Sequence, residues 1–340
     1  MTKQIGIVGA SGYGGAELLR LAAGHPGLNV AIVAAHSKAG EPIASLFPNM
    51  PGTRVFDAID LDALGALDLV VLATPHGPAL DLAPKLVHGG TPVVDLSAAF
   101  RLDAAGFEQW YGEVHPHPEL TPAAYGLPEH HRAALEGAML VANPGCYPTA
   151  TMLALRPLLP LVESGSIVVD AMSGTSGGGR APGDGLHFAH VSGSVSAYGA
   201  PAHRHTGEIE QWLAHDGLLP GPVQFTPHLL PTARGLLSTS TATLRAGVTQ
   251  SDVDDALRDA YGNEPFVHVL PAGTWPTTKA LHGSNGCQLS AVVDGRTGRV
   301  VASSAIDNLG KGAAGQALQN VNILLGLGET TGLTSYGTYP

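Results

Sequence analysis

Gln4-Ile5-Gly6-Ile7-Val8-Gly9-Ala10-Ser11-Gly12-Tyr13-Gly14-Gly15 is the stretch on which the fold turns. Gln4–Val8 reads as a short apolar strand, and Ala16–Ala23 beyond the glycines is a good helix former. Glycines between a strand and a helix let the backbone approach a pyrophosphate and open a helix N-terminus toward it. The spacing is G-x-x-G-x-x-G with an extra Gly14, which is less specific than G-x-G-x-x-G. A turn with a purely structural role is the competing reading. The place of this turn after the first strand of a βαβ series favours a dinucleotide, with Gly9, Ser11, Gly12, Tyr13 and Gly14 as candidate contacts.

Working outward, Val30–Ala35, Asp68–Ala73, Pro92–Leu96 and Met139–Ala142 read as further strands of the buried type. A turn at Thr74-Pro75-His76-Gly77 precedes a helix near Ala79–His88. Strands alternating with helices imply right-handed crossovers and a parallel, doubly wound sheet. The second strand ends in His36-Ser37-Lys38, with no carboxylate before Glu41. NAD sites place an acid there for the ribose 2′-OH, whereas the Ser37 hydroxyl and Lys38 cation suit a 2′-phosphate, so NADP(H) is favoured. A solvated loop that lacks an acid is the alternative.

After about Gly145 the pattern changes. A helix over Ala150–Leu159 and a strand over Ser166–Ala171 lead into a Gly-, Ser- and His-rich region from Ser173 to His205. Leu236–Leu244 and Gln288–Val293 alternate like antiparallel strands. Ser251 is the expected N-cap of a helix to Tyr261, and Gly312–Leu325 reads as a long apolar helix that packs back on the first domain. The fold class is therefore α/β, with a parallel-sheet dinucleotide domain of residues 1–145 and 312–340. An α+β domain of residues 146–311 is inserted between the two parts.

The 340 residues suit about two domains. A hydrophobic share of 44% excludes disorder, while 13% charged residues leave a thinly charged surface or one covered by another subunit. Seventeen basic against 28 acidic residues, with no Lys/Arg cluster, argue against nucleic acid and anionic membrane as partners. Neither a signal-peptide core nor an uninterrupted apolar run of about 18 residues is found, which predicts a cytoplasmic protein. Two cysteines form no disulfide framework, so a reactive thiol can survive there.

Cys146, in Asn143-Pro144-Gly145-Cys146-Tyr147-Pro148-Thr149, ends a strand and opens a helix. The positive end of a helix and its exposed N–H groups favour a thiolate, and Pro148 fits the first turn. An inert core cysteine is the alternative here and the preferred reading for Cys287. A thiolate beside a nicotinamide implies attack on an activated acyl group and reduction of the thioester to an aldehyde. His203-Arg204-His205 with Glu208 and Glu210 brings a base, a cation and acids within two helical turns. No further Cys or carboxylate completes a zinc set around H-x-H, and no metal is expected. His115, His117, His130 and His131 read as loop residues. Arg101, Arg180 and Arg204 are candidates for a phosphate and a carboxylate, which guanidinium matches bidentately, with a packing or surface role as the alternative.

The chain resembles the N-acetyl-gamma-glutamyl-phosphate reductase family, within the aspartate-semialdehyde dehydrogenase-like acyl-phosphate reductases. The segments that carry the resemblance are Gly9–Leu18, Leu72–Gly77, Asp95–Leu102, Tyr125–Glu129, Ala142–Thr149, Ser173–Arg180, His203–Gln211 and Ala305–Gly312, spread over essentially the whole chain. N-P-G-C-Y-P-T and H-R-H are the most specific of them. The resemblance implies a Rossmann-type NADP-binding domain, an α+β catalytic and dimerisation domain, and an active site between the two. It implies Cys146 as nucleophile and His203 as base, with His205 the second candidate for that role; His205 and Glu208 join Arg101, Arg180 and Arg204 as candidate substrate contacts. Pro75, Ser176, Gly177 and Asn308 join the cofactor contacts, with Lys311 in the same segment as Asn308. The implied substrate is the small molecule N-acetyl-L-glutamyl 5-phosphate, and the implied assembly is a homo-oligomer, dimer or tetramer. Gly207 stands where the family usually has proline and Ala99 where it has aspartate. Two other readings stay open: an aminoadipyl-phosphate reductase, and a non-catalytic NADP-binding sensor.

Overall fold

β1 (Lys3–Val8) is buried from Ile5 to Val8 because it runs inside a sheet covered on both faces. The computed structural model describes residues 2–217 and 221–339. Met1 and Pro340, the outer ends of the expected first domain, lie outside the described residues. β1 pairs with β2 (Leu28–Ala34) on one side and β3 (Leu69–Leu72) on the other. The sheet continues through β4 (Val93–Asp95), β6 (Leu140–Ala142) and β5 (Ala124–Tyr125), in the order β2-β1-β3-β4-β6-β5, with every pair parallel. Burial on both faces explains why Leu69-Val70-Val71-Leu72 is apolar without alternation. One face packs Ile5, Ile7, Leu18 and Val71 with Ala317, Leu318 and Val321 of the closing helix, and the other packs Val8, Leu72, Ala83 and Phe100. Strand order reverses at β1, the place where such sheets open a ligand crevice at their carboxyl ends.

The chain divides into two compact units. The first comprises Met1–Pro144, Gly179–Ala181 and Ala313–Leu333, and the second comprises Gly145–Gly178, Pro182–Gly312 and Thr334–Pro340. The tail from Thr334 thus goes with the second unit, where the Asn285 N–H donates to the Thr334 carbonyl at 2.7 Å.

The second unit is built on a seven-stranded mixed sheet. Its strands are β7 (Val168–Gly174), β8 (Ser196–Ala197), β9 (Gln224–Leu230), β10 (Leu236–Thr243), β11 (Val267–Val269), β12 (Cys287–Asp294) and β13 (Arg299–Ile306), in the order β11-β12-β13-β10-β7-β9-β8. The helix Cys146–Leu155 is held against this sheet by small polar side chains. Ser304 Oγ donates to the Ala150 carbonyl at 2.7 Å, and Ser238 and Thr151 hydroxyls meet at 3.0 Å. Cys287 is fully buried at the start of β12, as a core residue.

Local chemistry moves several boundaries. The helix Gln250–Tyr261 is capped by Thr249, not Ser251, because Thr249 and Asp252 form a reciprocal capping box. The cysteine helix starts at Cys146, as the N-P-G-C-Y-P-T segment leads one to expect and ahead of Ala150, and tightens into a 3-10 turn at Arg156–Leu161, where Pro157 and Pro160 lack N–H groups. A π turn over Gly310–Ala314 precedes the closing helix Gly315–Leu324, which is not purely apolar. Its Asn320 amide donates to the Gly126 carbonyl and to Asn143 Oδ1, and Asn322 donates to the Glu329 and Thr331 carbonyls. His130 and His131 lie in the helix Pro128–Leu135, so two of the four histidines expected in loops are helical, while His115 is a loop residue buried against Phe100 and Phe107.

Candidate active site

In the first unit the glycine turn joins β1 to the helix Tyr13–Ala22. Gly9 takes φ +88°, and a side chain there would overlap the Ala73 carbonyl; a Cβ on Gly15 would come within 2.6 Å of the Gly9 oxygen. The N-cap of this helix is Gly12, with no side-chain cap hydrogen bond and no acid in the first turn. The N–H groups of Tyr13, Gly14 and Gly15 therefore have no intrahelical acceptor and face an anion-favouring end. Thr74 Oγ1, just after β3 and beside Gly9, is buried without a hydrogen-bond partner. This cradle fits a dinucleotide diphosphate. Pro75 is the expected cofactor contact in T-P-H-G, and the Thr74 hydroxyl beside it carries no signal in the sequence until its burial is known.

His36-Ser37-Lys38 forms a short 3-10 turn after β2, so Ser37 and Lys38 follow the second strand as expected. Lys38 Nζ, however, pairs with Glu41 at 3.0 Å, which brings the nearest carboxylate back beside the cation. Arg101 is buried, with Nε on the Asn143 carbonyl at 2.8 Å and Nη2 on the Leu96 carbonyl at 2.7 Å, so it ties the ends of β4 and β6 together. Ala99 lies fully inside the same core, and an aspartate there would be a buried carboxylate. Arg180 is exposed and donates from Nε to the Ser11 carbonyl of the glycine turn at 2.6 Å.

In the second unit Cys146 is the first residue of its helix, with Gly145 as N-cap. The Gly145 N–H donates to Glu208 Oε1 at 2.8 Å, from a side chain that is only 2% exposed. Glu208 thus grips the backbone immediately before the sulfur. Gly312 closes the other side, since a Cβ on it would come within 2.8 Å of the Cys146 Cβ. Gly207 is buried within the helix His205–Ala214, which forms without the proline usual at that position.

His203 sits among rings, 5.9 Å from Tyr147, 5.5 Å from Tyr198, 5.5 Å from Phe225 and 4.9 Å from His205. Burial, and then the Arg204 cation, push its imidazole down to about 4. Its Nδ1 accepts the His205 N–H at 3.2 Å, which leaves the proton of the neutral ring on Nε2. Tyr198 donates to the Tyr147 hydroxyl at 3.1 Å, and Tyr147 donates to the His228 carbonyl at 3.1 Å. Burial raises both phenols, and the charge of the Cys146 sulfur acts in the same direction, so both stay protonated donors beside the cysteine. Tyr147 lies in N-P-G-C-Y-P-T and Tyr198 in an aperiodic stretch, and nothing in the sequence marks either hydroxyl as a donor. Arg204 is exposed at the N-cap of the histidine helix.

Ser176 and Gly177 lie in the turn Thr175–Gly178. Asn308 donates to Ser176 Oγ at 2.8 Å and accepts the Gly235 N–H at 2.9 Å, so its amide braces that turn. Lys311 is fully buried over the Phe266 ring. Among the described residues no three His, Cys, Asp or Glu gather as a metal site, and no helix is long and apolar enough to cross a membrane.

Residues 4–138 match the model of the semialdehyde dehydrogenase NAD binding domain, and residues 146–308 match that of the semialdehyde dehydrogenase dimerisation domain. The N-acetyl-gamma-glutamyl-phosphate reductase of Symbiobacterium thermophilum is 47% identical, with 100% of both chains covered. That of Brevibacillus brevis is 46% identical over 99% of both. Among solved structures, aspartate semialdehyde dehydrogenase II of Vibrio cholerae gives a TM-score of 0.72 at 16% identity, covering 96% of this chain and 98% of that one. The Candida albicans aspartate semialdehyde dehydrogenase with NADP gives 0.67 at 15%, covering 95% and 98%.

Proposed function

The chain belongs to the semialdehyde dehydrogenase family, and we propose from this premise that it is an NADPH-dependent reductase of N-acetyl-L-glutamyl 5-phosphate in arginine biosynthesis. Its products are N-acetyl-L-glutamate 5-semialdehyde and phosphate. The observation that carries the chemistry is the Cys146 turn, a sulfur at a helix start with no side-chain cap, whose charge acts on the Tyr147 and Tyr198 phenols, while His203 packs against both of those rings.

Cys146 attacks the acyl carbon, phosphate leaves, and the acyl group is held as a thioester. NADPH, when bound, supplies the hydride that takes this thioester to the aldehyde level. The sulfur is then the leaving group as the aldehyde is released. The start of the cysteine helix favours the thiolate, so the sulfur does not depend on His203 to take its proton. His203, with its proton on Nε2, serves first as donor to the oxygen that gains charge and as acceptor in the reverse direction. This refines the expectation that His203 is the resting base. Glu208 positions the turn through Gly145, and Arg204 and His205 meet the substrate anions. The glycine turn, Thr74, Pro75, Ser37 and Lys38 hold the cofactor, and Asn308 orders Ser176 and Gly177. The protein works as a cytoplasmic homo-oligomer, dimer or tetramer.

The test is phosphate-dependent reduction of NADP+ and of NAD+ with N-acetylglutamate semialdehyde, beside the aldehyde one methylene longer. A higher kcat/KM for the glutamyl aldehyde with NADP+ is expected. Preference for the longer aldehyde would make the protein an aminoadipyl-type reductase, and NADPH binding without turnover would make it a sensor.

A further inference from the structure

We propose that Arg180 binds the diphosphate of the dinucleotide and not the acyl phosphate of the substrate. The inference rests on the NADP(H) reading above. Gly178 and Pro182 belong to the second unit, whereas Gly179–Ala181 belong to the first. Gly179 takes φ +81°, a left-handed conformation that turns the chain just before Arg180. The guanidinium then meets the glycine turn, with Nε on the Ser11 carbonyl at 2.6 Å.

A guanidinium has five donors in one plane, and this contact uses one of them. The two terminal amino groups of Arg180 make no hydrogen bond among the described residues, and the side chain is exposed. The Nε bond fixes the plane of the fork at the turn whose Tyr13, Gly14 and Gly15 N–H groups lack acceptors. A planar fork beside an open helix start matches two phosphate oxygens. The other cations around β1 and β2 are engaged: Lys3 pairs with Asp68, Arg20 with Glu17 and Lys38 with Glu41. Arg180 is the cation that this turn holds ready for a doubly charged linkage.

Dissociation constants for NADPH and NADH, measured calorimetrically without acyl substrate, separate the possibilities. Both cofactors carry the diphosphate and only NADPH carries the 2′-phosphate. Arg180→Ala should weaken both by the same factor, about 10- to 100-fold for a lost charge-assisted pair. Arg180→Lys should weaken both less, and Lys38→Ala should weaken NADPH alone. At saturating cofactor, KM for the acyl phosphate should not change in Arg180→Ala. Unchanged cofactor binding in Arg180→Ala would overturn the inference, as would a loss confined to NADPH. A raised KM for the acyl phosphate with intact cofactor binding would return Arg180 to the substrate. If the wild-type protein bound neither cofactor, the NADP(H) reading itself would fall.

Discussion

The helix starts at Tyr13 and at Cys146 are built alike, and the proposed function gives them different anions to hold. Both follow a glycine N-cap, both lack a side-chain cap, and neither has an acid in its first turn. At Tyr13 the next two residues are glycines, so the open N–H groups stay accessible to a charge brought from outside. At Cys146 the first helical residue itself carries the sulfur, and Glu208 fixes the N–H just before it. In the proposed function one electrostatic device thus serves binding in the first unit and nucleophilic attack in the second. Side-chain size at the first positions decides which.

The comparison breaks most readily at His203. If the helix start holds the thiolate, His203→Asn should slow hydride transfer by about 10²- to 10⁴-fold, the span of general acid–base catalysis. Alkylation of Cys146 by iodoacetamide near neutral pH should then hardly change. A matching fall in alkylation would give the thiol proton to His203 and make the two helix starts unlike. The same variant carries a stability signature. His203 is about 4 when folded against an ordinary 6.5, so between these values the unfolded chain binds more protons and stability rises with pH. In the first unit Asp95, fully buried, is pushed up to about 6 from 3.8, and contributes a fall in stability as pH rises through that range. Because the two slopes oppose, the readout is the difference between wild type and His203→Asn in urea midpoint from pH 4 to 7. The variant should lack the rise.

A smaller effect sharpens the comparison at Glu208. Glu208→Ala leaves the buried Gly145 N–H without its acceptor and should cost about 1–3 kcal/mol of stability. Denaturant midpoints and kcat would report this together with a loosened cysteine turn. Glu208→Gln keeps an acceptor oxygen and should recover most of both. A rise in KM with stability untouched would instead make Glu208 a substrate contact.

The parallel sheet is legible because its strands are short, apolar and bounded by turn residues, glycines after Val8 and Thr74-Pro75 after β3. β13 is not, since Ala302–Ile306 are all buried in mid-sheet and show no alternation to read. Motif residues such as Cys146 and His203 could be selected from sequence, but their partners could not. The tautomer of His203 depends on a backbone bond, Thr74 on an unpaired hydroxyl, and Tyr198 on a strand two residues long. Arg101 and Arg180 show the same limit: a guanidinium can be picked from the sequence, but its partners, backbone carbonyls for the buried Arg101 and the Ser11 carbonyl for Arg180, cannot.

The central claim is that Cys146 carries the acyl group. Mixing the enzyme with N-acetyl-L-glutamyl 5-phosphate in the absence of NADPH, followed by rapid quench and intact mass, tests it directly. The account predicts a burst approaching one phosphate per active site and a mass increase of one N-acetylglutamyl group located on Cys146. Cys146→Ser should show neither. Phosphate release from the Ser variant at the wild-type burst rate, or no adduct on wild type despite turnover, would contradict it.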